Sequence, residues 1–194
     1  AGSPPPPSGT GSGLQAEYFE NMDLTALALT RTDATVHFDW GGGTPAPGMG
    51  PDTFSVRWTG QVEPRYSEPY TFFTHSDDGV RLWVNGQLLI DNWTDHGPTE
   101  DQGAITLAAG QRYDVRLEYY ENGGGAMAKL LWSSPSQPKE IIPQSQLYPA
   151  AAPPPPALVN AAAFVSQSVP ASMVAGQSYA VSVTLQNTGT STWT

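Results

Sequence analysis

Apolar and polar residues alternate along most of the central part of the chain, and this period of two limits the fold more than any other feature. The alternation runs through residues 54–59, 80–84 and 113–120. A period of two places one face of a strand on a core and the other toward water, as in antiparallel sheets. No stretch longer than a turn or two suggests a helix. We therefore expect an all-β fold, an antiparallel two-sheet β-sandwich or barrel, rather than a parallel α/β fold with its nucleotide sites.

A tight turn within this region indicates the same kind of fold. Asn85 and Gly86 separate two apolar runs, RLWV and QLLID. Asn-Gly tolerates the positive φ angles that a two-residue hairpin needs. We therefore predict a β-hairpin over residues 80–91, and the turn residues that recur roughly every 8–12 positions fit a sandwich or barrel.

Two Pro-rich runs divide the chain into segments. Residues 1–13 and 149–156 share a composition rich in Pro and small residues, and both are predicted to be linkers. The segment 14–148 is long enough to bury a hydrophobic core without disulfides or metal ions. Residues 157–194 resemble the first strands of a bacterial immunoglobulin-like module, and we predict a truncated immunoglobulin-like β segment there. Such an incomplete segment is either disordered or has its edges completed by another chain.

Charge and composition exclude several classes of function. The chain has 18 Asp and Glu against 8 Lys and Arg, a formal net charge of −10, whereas nucleic acid and anionic membranes require a basic face. We expect no nucleic-acid partner and no membrane insertion, because no apolar run approaches the roughly 20 residues that span a bilayer. The chain has no Cys, and it lacks the common motifs of hydrolases, P-loop proteins and zinc proteases. We therefore expect a protein that is not an enzyme.

The sequence Ser76-Asp77-Asp78-Gly79 is the first candidate site. Two adjacent Asp residues on a turn hold two carboxylates close together, and their repulsion raises a pKa unless a cation lies between them. Ca²⁺ binds carboxylate and carbonyl oxygens of this kind. An ordinary Asx turn explains the same residues without an ion.

A second candidate site follows the apolar run that ends near residue 120. Glu121 and Asn122 precede three glycines, Gly123 to Gly125, which leave the backbone free to approach a ligand closely. A Glu followed by bare carbonyls suits the second half of an oxygen-ligand site. A permissive hairpin loop is the alternative interpretation.

Both segments and the strands around them resemble the PA-fourteen domain family, named after the N-terminal fragment of anthrax protective antigen. The resemblance covers residues 14–148, and its most specific strings are GLQAEYFENMDL, SDDGVRLWVNG, RYDVRLEYYENGGGAMAKLLW and IIPQSQLYP. It implies a two-sheet antiparallel β-sandwich or barrel, as found in toxins, yeast flocculins and adhesins, glycosidases and cell-surface proteins. We therefore expect a secreted or cell-surface protein of bacterial origin.

The resemblance also implies a set of metal ligands. In the lectin-like members an adjacent Asp pair, joined by a cis peptide, binds Ca²⁺ together with a later loop, and the ion holds sugar hydroxyls. Asp77 and Asp78 match that pair and would contact both the ion and the carbohydrate. Glu121 stands where the adhesins have Asn, and the carbonyls of Gly123 and Gly125 match the backbone ligands.

We expect the loop after the predicted hairpin to lie near the two candidate sites. There Trp93 can stack on a sugar ring with His96 beside it, or both residues can simply pin the loop. The leading hypothesis is a non-catalytic, Ca²⁺-dependent carbohydrate-binding module, lectin- or adhesin-like, whose partner is a glycan or polysaccharide. The alternative is a structural spacer, or a subunit of an extracellular assembly, in which Ca²⁺ only stiffens a loop.

Overall fold

The computed structural model describes residues 9–150 and 161–189, which fall into two compact units, one in each range. The remaining residues, which include most of the predicted linkers and both ends of the predicted C-terminal segment, lie outside the described residues. Within the described ranges the only helical element is one 3-10 turn, Gln144–Gln146. The predicted all-β class is confirmed, and no helix of these ranges is long and apolar enough to cross a membrane.

The first unit consists of two antiparallel sheets. Within residues 9–150 the strands are β1 (Leu14–Phe19), β2 (Leu27–Asp33), β3 (His37–Gly41), β4 (Phe54–Val62), β5 (Glu68–Asp77), β6 (Val80–Val84), β7 (Gln87–Asn92), β8 (Thr99–Leu107), β9 (Tyr113–Glu121), β10 (Ala126–Ser134), β11 (Gln137–Ile141) and β12 (Leu147–Pro149). The larger sheet has the order β2-β1-β4-β9-β6-β7, with β12 also paired to β4. The smaller sheet has the order β11-β10-β5-β8, with β3 also paired to β10.

The predicted hairpin is present as β6 and β7. Asn85 has a φ of 50° and Gly86 a φ of 74°, the left-handed angles for which Asn-Gly is suited. Gly86 has open space where a Cβ would lie, so its backbone conformation rather than crowding explains the glycine.

The core lies between the two sheets and follows the period of two. On β10, for example, every second residue from Ala126 to Trp132 is buried. The largest fully buried side chains come from strands of both sheets: Trp58, Trp132, Tyr18, Tyr70, Tyr119, Phe54 and Phe72. Each burial of this size contributes roughly 1.5–3 kcal/mol relative to exposure, so this aromatic layer holds the two sheets together.

Two residues on β9 depart from the predicted alternation, because other side chains cover them. Glu118 and Tyr120 face away from the core, yet they are only 4% and 6% exposed. Arg57 and Arg81 donate hydrogen bonds of 3.0 and 2.7 Å to the Glu118 carboxylate. The ring of Trp93 lies 4.7 Å from that of Tyr120. The outer face of the larger sheet is therefore a packed surface of Arg and Trp rather than a bare polar one.

The first unit extends beyond the boundaries that composition predicted. Residues 9–13, expected in the first linker, run beside the 3-10 turn, and the Gly11 N–H donates to the carbonyl of Ser145. A Cβ on Gly11 would lie 2.1 Å from the carbonyl oxygen of Leu147, so this close approach requires glycine. Pro149, expected in the second linker, ends β12. Glycine and proline marked these stretches as linkers, whereas the chain uses them for packing.

The second unit is a two-stranded antiparallel sheet of β13 (Ala162–Ser168) and β14 (Ser182–Asn187). Its apolar side chains are largely exposed; Phe164 and Val183, for example, are 60% and 59% exposed. In residues 161–189 neither strand pairs with a third strand. The immunoglobulin-like identity of this segment and its completion by other chains stay predictions.

Candidate metal centre

Two connections cross from one sheet to the other at the same end of the first unit. β5 ends at Asp77 in the smaller sheet, and the chain then enters β6 in the larger one. β9 ends at Glu121 in the larger sheet, and the chain returns through β10 to the smaller one. Val80 pairs with Tyr119 and Met127 pairs with Asp77, so strand register brings the Asp pair beside Glu121.

Three carboxylates meet where these connections cross. Asp77, Asp78 and Glu121 each offer an oxygen within 4.8 Å of the others. Glu121 is fully buried and Asp78 is 5% exposed, whereas Asp77 is half-buried at the rim. The Asp77–Asp78 peptide is cis, as the resemblance predicts. Glu121 Oε1 is buried and has no hydrogen-bond partner among the described residues.

Among the described residues, no Lys or Arg side chain neutralises the negative charge of the cluster. No Lys or Arg in residues 9–150 forms an ion pair with any of the three carboxylates. Burial raises the pKa of Glu121 to about 7 although the Tyr119 hydroxyl opposes the shift, and repulsion from Asp78 and Asp77 adds to the rise. Burial and then repulsion from Asp78 raise the pKa of Asp77, and the charge of His96 opposes that rise. A buried acidic cluster with an orphaned oxygen fits a hard cation.

Backbone N–H groups fix the position of Asp78. Its Oδ1 accepts a hydrogen bond of 2.9 Å from the His96 N–H, and its Oδ2 accepts one of 2.9 Å from the Asn122 N–H. Each carboxylate oxygen has a further lone pair beyond the one that these bonds use. Asp78 is therefore both an anchor between two loops and a potential ligand.

Tyr119 contacts the carboxylate of Glu121 and the backbone of Asp77. It lies two positions before Glu121 on β9, on the same face of the strand. Its hydroxyl contacts the Asp77 carbonyl oxygen and lies 3.0 Å from Glu121 Oε2. Sequence reasoning assigned Tyr119 only to the core, although the period of two already placed it beside Glu121.

The loop between β7 and β8 is fastened to the site by Asp95, which sequence reasoning did not select as a ligand or a support. Asp95 accepts hydrogen bonds of 2.7 Å from the Tyr120 hydroxyl and of 2.7 Å from Asn122 Nδ2. The Arg81 guanidinium lies 3.9 Å from the ring centroid of Trp93, which also packs edge-on against Tyr120. His96 reaches the site through its backbone. These contacts hold the loop at the rim, and stacking of Trp93 on a sugar stays a prediction.

The glycine loop, residues 123–125, is exposed and lies beside the cluster. A Cβ on Gly125 would lie 3.6 Å from Asp77 Oδ2. A Cβ on Gly123 would have no atom within 4 Å. The Gly124 N–H donates a hydrogen bond of 3.3 Å to Asp52 Oδ1, a contact that no sequence pattern indicated. Gly125 thus lies beside Asp77 and Gly123 farther along the rim. Their roles as carbonyl ligands stay predictions.

Position 79, which follows the Asp77–Asp78 pair, requires glycine for a steric reason. A Cβ at this position would lie 2.2 Å from Tyr120 Cε1, a distance that atoms cannot adopt. The ring of Tyr120 therefore packs directly on the backbone that follows Asp78. Any side chain here would push apart the two connections that hold the carboxylates.

Comparison with known proteins gives one family and a close relative. A family model described as "PA14 domain" matches residues 11–146. The anti-sigma-I factor RsgI3 of Acetivibrio thermocellus is 58% identical over 153 residues, which are 79% of this chain and 24% of that protein. The chain therefore spans about a quarter of the length of this relative.

Solved structures show the same fold. One, an "anti-sigma factor domain-containing protein", is 54% identical with a TM-score of 0.73, over 80% of this chain and 54% of that one. Another, the "PA14 sugar-binding domain from RTX adhesin", has a TM-score of 0.59 at 19% identity, over 73% of this chain and 99% of that one. At that identity the second likeness shows the fold alone.

Proposed function

The chain belongs to the PA14 domain family, and from this premise we propose that its first unit is a Ca²⁺-dependent carbohydrate-binding module without catalytic activity. The supporting observation is the cluster of Asp77, Asp78 and Glu121, in which one buried oxygen of Glu121 has no partner. An unpaired buried carboxylate is costly, and a divalent cation removes that cost.

The chain's own residues prepare the place for the ion. Asp77, Asp78 and Glu121 would hold it, with help from the carbonyls of the glycine loop. Asp78 is fixed by backbone donors from two loops, and Tyr119 positions Glu121. When bound, Ca²⁺ supplies coordination positions that sugar hydroxyls can fill.

The carbohydrate part of the proposal rests on the open rim of the site. Asp77 is half-buried rather than enclosed, the glycine loop carries no side chains, and Trp93 lies at the same end of the sheet. One fold neighbour is named as a sugar-binding domain of an adhesin, and that name supports the proposal.

The name of the 58% identical relative suggests the setting of the module. That relative is an anti-sigma factor, and this chain matches only a quarter of it. We therefore propose that the module recognises a polysaccharide outside the cell on behalf of a longer regulatory protein.

A structural role for the ion is the second candidate. Both oxygens of Asp78 already accept backbone hydrogen bonds from two different loops, His96 on one side and Asn122 on the other. Ca²⁺ bound there would stiffen the rim whether or not a sugar follows. In this case the module is a spacer whose ion affects only stability.

Binding to a panel of soluble polysaccharides, measured in calcium and in chelator, separates these functions. The proposal expects retention by at least one polysaccharide in calcium and none in chelator. Asp78→Ala should abolish that retention, whereas Asp23→Ala, at an acidic residue of the exposed β1–β2 loop, should not. Ca²⁺ that raises the melting temperature without any polysaccharide bound would favour the spacer instead.

A further inference from the structure

A groove of about 510 Å³ lies on the outer face of the larger sheet, away from the carboxylate cluster. Its lining includes Thr59, Trp83, Gly86, Asp114 and Arg116. Trp83 is five positions along the chain from Asp78, a span of at most roughly 16 Å at the rise of a strand. The core packs on the opposite face of this sheet, so the groove is a surface feature. Its volume lies within the usual range of ligand sites, about 300–1,000 Å³.

The groove combines an aromatic ring with hydrogen-bonding groups. The Arg116 guanidinium lies 3.8 Å from the ring centroid of Trp83. Asp114 accepts a hydrogen bond of 3.0 Å from Gln61 Nε2 and keeps further acceptor capacity. Arg116 covers one face of the indole, and Trp83 remains partly exposed. A partly exposed indole with a guanidinium donor and a carboxylate acceptor beside it matches a pyranose ring, which has an apolar C–H face and a rim of hydroxyls. Gly86 leaves the end of the groove open, since nothing lies within 4 Å of its Cβ position.

A row of ring contacts connects the groove to the candidate metal centre. The Arg81 guanidinium lies 5.5 Å from the Trp83 ring centroid and 3.9 Å from that of Trp93. Trp93 in turn packs against Tyr120, whose ring lies against the backbone of Gly79, next to Asp78. These contacts place two indoles and a guanidinium between the groove and the candidate metal centre.

The geometry points to a second saccharide subsite at Trp83, so that the ligand of the module is an extended saccharide chain rather than a single terminal sugar. One end of this chain lies at the carboxylate cluster, and a pyranose ring farther along stacks in the groove. The inference rests on the proposed function for the class of ligand. It adds residues that lie outside the cluster, namely Trp83, Asp114 and Arg116.

Trp83→Ala tests the subsite, because Trp83 faces away from the core. The probes are a panel of neutral and uronate-containing polysaccharides, and then disaccharides and tetrasaccharides prepared from the one retained most strongly. We expect Trp83→Ala to weaken binding of the polymer and the tetrasaccharide about tenfold, a loss of about 1.4 kcal/mol. The disaccharide affinity and the calcium affinity should not change. Leu27→Ala, at an exposed apolar residue of β2 in the same sheet, is the matched control.

The outcomes distinguish this inference from the proposed function. Equal affinity of the wild type and Trp83→Ala for the polymer overturns the subsite and leaves the calcium-dependent module standing. Binding that Trp83→Ala abolishes but chelator does not affect supports the groove and overturns the role of the ion. A wild type that retains no polysaccharide overturns both. If Trp83→Ala lowers the melting temperature, Arg116→Gln on the exposed side of the groove gives the same comparison, and unchanged polymer affinity there overturns the subsite.

Discussion

The backbone N–H of Asn122 donates a hydrogen bond of 2.9 Å to Asp78 Oδ2 and joins the two connections that carry the carboxylates. Asp78 is thereby satisfied before any ion arrives, whereas Glu121 Oε1 has no partner among the described residues. The carboxylates are therefore already held in place, but no Lys or Arg of residues 9–150 balances their negative charge.

Calcium should stabilise the first unit against heat. A ligand that binds only the folded state adds RT ln(1 + [L]/Kd), about 2.7 kcal/mol at a hundredfold excess over Kd. For a domain of this size that corresponds to a rise of roughly 5–10 °C in melting temperature. Differential scanning fluorimetry in calcium and in chelator measures it. Glu121→Gln should remove most of the rise, and identical melting curves of the wild type in both buffers would refute the prediction.

Without metal, stability should fall as the pH rises toward neutrality. Folding raises the pKa of Glu121 from 4.5 to about 7, so its contribution is fully present below pH 4.5 and is lost as the pH passes through about 7. Urea unfolding in chelator across this window should therefore show a declining free energy of unfolding for the wild type. Glu121→Gln cannot ionise, and its decline should be smaller. Equal slopes for the two proteins would show that Glu121 ionises normally in the fold.

Gly79→Ala should destabilise the site, whereas Gly123→Ala should not. The added Cβ at Gly79 would lie 2.2 Å from Tyr120 Cε1, but at Gly123 nothing lies within 4 Å. Overpacking of this kind costs about 1–3 kcal/mol. The two variants differ by the same methyl group, so chemical denaturation and calcium titration of the pair isolate the steric effect. Similar stabilities would mean that the Tyr120 ring moves aside without cost.

Tyr119→Phe should weaken calcium binding at neutral pH. The hydroxyl of Tyr119 lies 3.0 Å from Glu121 Oε2 and opposes the rise in the pKa of Glu121, so its loss raises that pKa further. More of the protein then carries a protonated Glu121 at pH 7, and protons compete with the ion. The midpoint pH of calcium affinity should move upward. Tyr120→Phe, which loses only the bond to Asp95, should leave that midpoint in place.

The sequence predicted the sheets well because their determinants are local. Alternation along Val80, Leu82 and Val84 marks the face of β6 that packs on the core, and Asn85 with Gly86 adopts the left-handed angles of the turn. The same reasoning misjudged Glu118, which the period of two placed in water. Arg57 and Arg81 from the two neighbouring strands cover it, and such cross-strand contacts depend on a pairing that one strand alone does not reveal.

The sequence predicted the carboxylates of the candidate site, but not the residues that hold the surrounding loops in place. Asp77, Asp78 and Glu121 carry a recognisable pattern, and the register of β6 and β9 brings them together. Asp95 and Asp52 reach the site from loops distant in sequence, and their roles depend on hydrogen bonds of irregular backbone. Residues 9–13 show the same limit, since their packing rests on backbone contacts made possible by glycine.

Isothermal titration calorimetry, with calcium added to protein from which a chelator has removed metal, tests most directly whether the carboxylate cluster binds Ca²⁺. We predict that each chain binds one Ca²⁺, that Asp78→Asn and Glu121→Gln each reduce the affinity severely, and that Asp23→Asn leaves it unchanged. Absence of binding heat at millimolar calcium, or the same affinity in Asp78→Asn as in the wild type, would contradict the claim that Asp77, Asp78 and Glu121 form a metal centre.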